Sequence, residues 1–267
     1  TKVAVLGYQF STGDIVTDPS LPIAGVDSSI HLAQVLYQQF FAVAGRTASL
    51  QVNLPYSWGT TEGLVDGQYR RRDTSGFGDV RARFSVNLRG APAMDGPQFQ
   101  ALRAAPRTLV GASLTVQAPT GDYDPDRLIN IGTHRWSAKP AVGAIWPFRP
   151  TWALECEAGV WVFGDNDDFV GGVTREQDPV LSTEVHLVKQ TRAGFWVSID
   201  ANYYAGGRTT VDGTLRADLQ RNSRAGATLS IPVDRRHVLR FAFSTGLVVE
   251  SGGDYDIFTA SYLYAWH

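Results

Sequence analysis

Two neighbouring segments of the chain carry the residue types of a hydrolytic site. Ser182 and His186 lie on the first segment, and Ser198 and Asp200 lie on the second. A serine hydrolase needs a serine nucleophile, a histidine base and a third group that orients the histidine. No nucleophile motif surrounds either serine. We therefore interpret these residues as part of a polar network, and we predict that the protein is not an enzyme.

Three other groups in the sequence have possible binding chemistry. The run DNDD at residues 165–168 has oxygen ligands that suit calcium, but it lacks the spacing and the terminal glutamate of a calcium loop. The single Cys156 excludes an internal disulfide and a cysteine zinc cluster. The run RRR at residues 70–72 suits lipopolysaccharide phosphates, although such runs are most often only solvated. We expect neither a metal nor a cofactor.

The segments that position these residues alternate between apolar and polar side chains. From residue 110 to residue 118, valine, alanine and leucine alternate with glycine, serine, threonine and glutamine. Residues 136–146 repeat the pattern with a tryptophan at each end. A period of two predicts a β-strand with one apolar face and one polar face. The two segments therefore predict a hairpin with a polar loop between its strands.

Twelve segments of this kind follow one another, and no apolar run reaches the roughly 18 residues of a membrane-spanning helix. Short links (AGR, PFRP, TRAG and DRR) alternate with longer polar loops, an asymmetry typical of outer-membrane barrels and not of soluble sandwiches. We predict that residues 1–267 form one all-β domain, a transmembrane antiparallel β-barrel of about 12 strands. The predicted strands are 1–10, 27–43, 47–58, 77–89, 110–118, 136–146, 151–163, 180–189, 195–204, 224–233, 237–250 and 256–266.

Three local features complete the predicted arrangement. The register of residues 27–43 stays open, because glutamines occur on both parities. The link at residues 90–106 is predicted to hold a short surface helix, from Asp95 before Pro97 and the spacing of Phe99 and Leu102. Loops near Gly63, Asp126, Asp168 and Asp212 are predicted to be extracellular, and turns at Arg46, Phe148, Arg192 and Arg235 to be periplasmic.

The polar face of the predicted strands carries ionisable side chains. A charge on the lipid face would cost about 2 to 4 kcal/mol near the midplane, so these side chains are predicted to line the lumen. Both signs occur on neighbouring strands, which favours ion pairs that fill a narrow barrel, or else a polar constriction for solutes. The predicted lumen residues are Arg81, Arg83, Lys139, Glu155, Glu157, Glu184, His186, Asp200, Arg224 and Arg240.

Four tracts of the sequence resemble the outer-membrane channel family grouped as MetA-pathway of phenol degradation proteins. They are GFGDVRARFSVNL, GDYDPDRLINIGTHRWSAKP, DNDDFVGGVTREQDP and GGRTTVDG. The resemblance implies a twelve-stranded barrel in the outer membrane of a Gram-negative bacterium. It also implies uptake of hydrophobic compounds, often in organisms that degrade aromatics. The resemblance further implies a segment before the first strand that enters the lumen. We expect this segment to be short or missing here.

These observations predict a passive, porin-like channel for small hydrophobic molecules, aromatic ones among them. Membrane lipid, lipopolysaccharide and, in vitro, detergent are the other expected partners. A net charge of -2 gives no basic surface for nucleic acid. The alternatives are a narrow diffusion porin for small polar solutes or ions and an outer-membrane lipid-modifying enzyme. A soluble sandwich, the remaining alternative, would need no detergent.

We also expect the solute to leave the barrel sideways into the membrane, through a gap near the outer end of the strands around Pro119 and Pro140. Lipid offers burial worth about 25 cal/mol per Å² of apolar surface, so this route avoids an aqueous step. Proline supplies no N–H to a β-ladder, and Pro119 ends one strand of the hairpin while Pro140 lies within the other. Gly121 and Gly132 would let the intervening loop move. Alternatively, both prolines merely mark strand ends.

Overall fold

The computed structural model describes residues 1–15, 20–21, 23–94, 98, 101–102, 104–191 and 194–266, and it consists mainly of β-strands. Within these ranges no helix has both the length and the apolar composition needed to cross a membrane. The strands are β1 (Lys2–Gly13), β2 (Ile23–Val43), β3 (Arg46–Val65), β4 (Gln68–Phe77), β5 (Arg81–Arg89), β6 (Leu109–Gln117), β7 (Ser137–Arg149), β8 (Trp152–Phe163), β9 (Asn166–Phe169), β10 (Val173–Gln177), β11 (Val180–Gln190), β12 (Trp196–Gly206), β13 (Thr209–Val211), β14 (Thr214–Leu215), β15 (Gln220–Pro232), β16 (His237–Val248) and β17 (Tyr255–Trp266).

The main sheet closes on itself as an antiparallel barrel. Its order is β2-β1-β17-β16-β15-β12-β11-β8-β7-β6-β5-β3-β4, and β2 also pairs with β3, which joins the two ends. Strands β5 and β4 follow each other along β3, β5 against residues 48–53 and β4 against residues 56–65. These two strands share one position in the wall, so the barrel has twelve positions. The predicted twelve-stranded antiparallel barrel is confirmed.

The alternation of side chains separates the lipid face from the lumen, as predicted. Leu114 and Val142 are 46% and 60% exposed on the outer wall. Their neighbours Thr115 and Lys139 are 8% and 6% exposed, and they form a register pair on the inner face. Apolar side chains thus surround the barrel, because a lipid-exposed polar residue would have no partner there.

The register of β2, which the sequence left open, is set by its neighbours. Val35 pairs with Leu6 and Leu54, and all three side chains are exposed on the outer wall. Gln34 therefore points inward, and its side-chain oxygen accepts a hydrogen bond of 3.0 Å from Asn53 Nδ2. On the same parity, Gln38 Nε2 donates to a serine hydroxyl of β3 at 3.2 Å. Partners across the strands therefore decide which glutamines enter the lumen.

The extracellular end contains more strand than the sequence predicts. The sequence predicts a loop at residues 60–76, but most of these residues extend β3 and form β4. Asp66 and Gly67, at the tip of this hairpin, have φ values of 51° and 74°, as a tight type I′ turn requires. Loops 164–179 and 207–219 form a second sheet in the order β14-β13-β10-β9. Its apolar cluster contains Leu21, Phe169 and Val211, all buried.

The opposite end has short turns, as the alternation of link lengths predicts. Ala44 and Gly45 join β2 to β3 with positive φ values of 47° and 73°, and two residues separate β7 from β8. The predicted turn residue Arg192 lies outside the described residues. So do Asp95, Pro97 and Phe99 of the predicted surface helix, although Gln98, Ala101, Leu102 and Ala104 beside them are helical.

Asp79 fixes the long loop between β6 and β7 to the barrel rim. It lies in the break between β4 and β5 and is 5% exposed. Its carboxylate accepts hydrogen bonds from the Gly121 N–H (2.9 Å), the Thr133 N–H (3.0 Å), the Thr133 hydroxyl (2.6 Å) and Gln117 Nε2 (2.9 Å). Gly121 and Gly132 touch, because a methyl group on Gly132 would lie 2.6 Å from the Gly121 backbone. The two ends of the loop are thus held together.

Asp79→Ala should therefore loosen this loop while the barrel still assembles. Removing the carboxylate leaves buried N–H donors without a partner, which costs about 1 to 3 kcal/mol for each group. Opening of the loop becomes about a hundredfold more frequent for a loss of about 3 kcal/mol. Trypsin should then cleave at the exposed Arg127 correspondingly faster. Asp126→Ala, an exposed residue of the same loop, is the control, and equal cleavage of both variants would contradict the prediction.

Candidate functional site in the barrel lumen

Glu157 is the centre of an ion-pair network whose members lie on four strands of the wall. Its carboxylate contacts Arg83 Nη2 of β5 and lies 3.0 Å from Lys139 Nζ of β7. Lys139 Nζ also lies 3.5 Å from a carboxylate oxygen of Glu184 on β11, and the Lys139 side chain is 8% exposed. The residues of β7 and β6 that lie in register with Glu157 are Gly143 and Gly111, which carry no side chain. Arg83 therefore reaches Glu157 across two intervening strands.

Asp200 is the centre of a second polar cluster, which adjoins the first. Its carboxylate accepts hydrogen bonds of 2.7 Å from His186 Nδ1, from the Ser198 hydroxyl and from the Thr228 hydroxyl. His186 Nε2 lies 4.0 Å from Glu184, which links the two clusters. The Ser198 hydroxyl donates to Asp200 and not to His186, so the serine lacks the base that nucleophilic catalysis requires. The arrangement is that of a structural network.

The remaining predicted lumen residues form no ion pair with these clusters in the described part of the chain. Arg81 Nε donates to Gln117 at 2.7 Å. The Arg224 guanidinium lies over the Tyr255 ring at 4.2 Å, and the Arg240 guanidinium lies over the Trp196 ring at 5.2 Å. Glu155 forms a register pair with His186, and in the described part of the chain no cation lies within 4.0 Å of its carboxylate. Six of the ten predicted residues thus form the connected network: Arg83, Lys139, Glu157, Glu184, His186 and Asp200.

An apolar wall, which the sequence analysis missed, lines another side of the lumen. It is one register row of inward residues, formed by Val238 of β16, Leu263 of β17, Val5 of β1 and Leu36 of β2, and the neighbouring rows contain Gln34, Gln38 and Arg240. Leu6 and Tyr8 of β1 are exposed on the outer wall. Val3 and Val5 have the opposite parity in the same strand, so their side chains face inward. Val5 pairs with Leu36 of β2 and with Leu263 of β17 on the same face. The only sequence indication was the run KVAVL, in which apolar residues occupy both parities. The lumen therefore has an ion-pair network on one side and an apolar row opposite it.

The predicted lateral-gate residues lie at the edge of the hairpin formed by β6 and β7. Pro119 lies in the loop after β6 and is half-buried, and Pro140 lies within β7 opposite Leu114. The β7–β8 ladder pairs Ala138 with Val162 and resumes only at Ala141, so Pro140 lies in an interruption. This interruption follows from the missing proline N–H.

The comparisons with known proteins address this barrel and its lumen. A profile of the family described as MetA-pathway of phenol degradation matches residues 11–256. The chain belongs to this family. The comparison with curated protein sequences gives no match.

Three solved structures have the same architecture as this family member. The COG4313 outer membrane channel from Pseudomonas putida F1 superposes with a TM-score of 0.80 at 19% identity, over 99% of this chain and 95% of that one. The transport unit of the autotransporter AIDA-I from Escherichia coli gives 0.54 at 8% identity, over 100% and 90%. The CymD monoaromatic hydrocarbon channel gives 0.53 at 8% identity, over 100% and 88%. At these identities the likeness shows the fold, and the chain is an outer-membrane β-barrel of the phenol degradation family.

The ion-pair network of this family member predicts the effect of one charge change. Glu157→Gln leaves Arg83 and Lys139 without their shared carboxylate and makes the lumen more positive by one charge. A unit charge about 4 Å away is worth about 1 kcal/mol in water, which is lost for a cation and gained for an anion, so the cation-to-anion permeability ratio should fall about 30-fold. Reversal potentials in a potassium chloride gradient measure this ratio. Glu250→Gln, on the loop after β16, is the control and should leave it unchanged; an unchanged ratio in Glu157→Gln would contradict the prediction.

Proposed function

We propose that the protein is a passive uptake channel for small hydrophobic molecules, including monoaromatic ones. The two-sided lumen is the observation that carries this proposal. Val5, Leu36 and Leu263 offer an apolar surface, whereas the charges on the opposite side already bind one another. A hydrophobic solute gains burial on the apolar side and does not have to displace ion pairs. Family membership and the fold of solved outer-membrane channels support the same function.

The other two functions find less support in the lumen. A diffusion porin needs charged groups that are free to face passing ions, but Lys139 and Glu157 are partly buried and paired. A lipid-modifying enzyme needs a serine that donates to a histidine, and the Ser198 hydroxyl donates to Asp200 instead. We therefore propose transport without catalysis.

We propose further that the solute leaves sideways between β7 and β8, at the interruption beside Pro140. Two ladder positions of β7 lack a β8 partner there, which lowers the cost of separating the strands. The hydrogen bonds of Asp79 hold Gly121 in place. Movement at the gate would therefore involve β7 and β8 and leave the base of the loop fixed. On this route the solute crosses the lumen from the apolar wall and passes beside Lys139, whose ion pair with Glu157 links β7 to β8 next to the interruption.

Uptake of a monoaromatic compound tests the proposed channel function. Cells that carry the protein should take up radiolabelled toluene faster than cells that lack it. Val5→Asn with Leu36→Asn should reduce the rate about tenfold, because lost apolar contact of about 50 Å² is worth about 1.3 kcal/mol. Ser113→Asn, on the charged side of the lumen, is the matched control and should keep the rate. Equal uptake by all variants and by cells without the protein would contradict the channel function.

A disulfide across the interruption tests the lateral exit separately. In a Cys156→Ala background, cysteines at Ala138 and Val162 replace a register pair of β7 and β8 beside the gap. The oxidised protein should lose most toluene uptake, and reduction should restore it. A control disulfide at Leu181 and Ala205 joins β11 to β12, away from the gap, and should have no effect. Equal uptake by oxidised and reduced protein would eliminate this exit and leave the channel function intact.

A further inference from the structure

A groove runs across the outer wall of the barrel, over β11, β12, β15, β16, β17 and β1. Its volume is about 730 Å³, within the range of about 300 to 1,000 Å³ that ligand sites occupy. The groove faces lipid, whereas the proposed solute path lies inside the barrel. It reaches β8 only at Trp152, at the opposite end of that strand from the interruption beside Pro140. The groove is therefore independent of the proposed function.

Two neighbouring register rows of outward side chains form the sides of the groove. One row starts at Lys189 and runs through Val197, Leu229, Phe241 and Ala260 to Tyr8. The other row starts at Leu187 and runs through Ala227 to Phe258. Each step passes to the next strand of the sheet. Since strands of such barrels tilt by about 35–45°, a row that crosses them climbs obliquely along the wall.

The floor of the groove is backbone. The row between the two sides contains Ser198 and Thr228, whose hydroxyls turn into the lumen and donate to Asp200. Ala227 and Ala260 are small enough to leave this floor open, whereas larger side chains such as Ile199, which is 68% exposed, form the rim. The depth of the groove therefore follows from small residues placed between large ones.

The length of the groove fits a fatty acyl chain. It spans six strands, and five inter-strand spacings of about 4.8 Å give about 24 Å. One leaflet of the hydrocarbon core is about 15 Å thick, so an oblique groove of this length can hold an extended chain. A small aromatic solute would leave most of it empty.

Two cations lie at the periplasmic end of the groove. Lys189 lines it, and its Nζ lies 4.5 Å from the ring centroid of Trp152. Arg149 is the register partner of Trp152 on the next strand and is exposed. Among the described residues, neither cation has a carboxylate within 4.0 Å. A tryptophan at this level marks the membrane interface, where lipid phosphates lie.

We propose that this groove is a binding site for one glycerophospholipid of the periplasmic leaflet. One acyl chain lies between the two rows, and the phosphate lies against Lys189 and Arg149. Lysine and arginine near a lipid headgroup each contribute about 1 kcal/mol to binding, and the apolar groove binds the chain. Lipopolysaccharide is excluded as the occupant because its phosphates lie at the other end of the barrel.

Native mass spectrometry of the detergent-purified protein tests the proposal with two probes that share the same acyl chains. Dioleoyl phosphatidylglycerol carries a phosphate, and dioleoylglycerol does not. The unaltered protein should bind one phosphatidylglycerol in preference to dioleoylglycerol. Lys189→Gln with Arg149→Gln should weaken phosphatidylglycerol binding about 30-fold and leave dioleoylglycerol binding unchanged. Ala227→Phe fills the groove and should abolish binding of both probes.

Matched variants control for charge and bulk. Lys2→Gln removes a cation from the same end of the barrel, and Ala201→Phe adds bulk to the outer wall outside the groove. Both should bind as the unaltered protein does. Heat-dependent gel migration checks assembly, and Ala260→Phe replaces Ala227→Phe if that variant does not assemble. The proposal would be overturned if the double glutamine variant bound phosphatidylglycerol as well as the unaltered protein does. It would also be overturned if the variant with phenylalanine in the groove did so.

Discussion

Pairing of the backbone polar groups is the constraint on which the rest of this structure depends. Lipid offers no water to a free N–H or C=O, so a sheet can cross the membrane only if it has no open edge. Pairing of β1 with both β2 and β17, together with pairing of β2 with β3, provides that closure. The interruption beside Pro140 is an exception within β7, and for that reason it is the place where we propose that the wall opens.

Closure also creates two faces with opposite requirements. The outer face must be apolar, and Val142 and Ile199 are exposed there. The inner face takes the charged residues, and six of them are linked in one network because a narrow lumen cannot hydrate them fully. Glu157 contacts two cations, and Asp200 accepts three hydrogen bonds, so these side chains are held in place around a remaining cavity of about 290 Å³. The surface that remains for a hydrophobic solute is the apolar wall around Val5 and Leu36.

The same alternation supports both the solute path and the lipid site. The hydroxyls of Ser198 and Thr228 contribute to the lumen cluster, and the backbone of these residues forms the groove floor on the other side of the wall. One strand thus serves two surfaces, because successive side chains point in opposite directions. At the barrel rim, Asp79 holds together the two ends of the loop between β6 and β7.

The sequence alone determined the wall of this barrel. A period of two, with links that alternate between short and long, was enough for the twelve positions, the outward face and the lumen parity of Arg83, Lys139 and Glu157. These properties are local, because each strand must present one apolar face to lipid and one polar face to the lumen. Where alternation failed, as in β1 and β2, the sequence analysis missed the apolar wall.

Tertiary structure decided what depends on register and on contacts between distant segments. The register of β2 follows from its partners Leu6 and Leu54, since glutamines on both parities leave the strand itself undecided. Residues Arg83 and Glu157 meet across two strands, and the bonds that Asp79 makes to Thr133 join positions 54 residues apart. The sequence marks such residues as polar or charged. Only the closed sheet decides which of them meet, because its shear and tilt set the distances across the lumen.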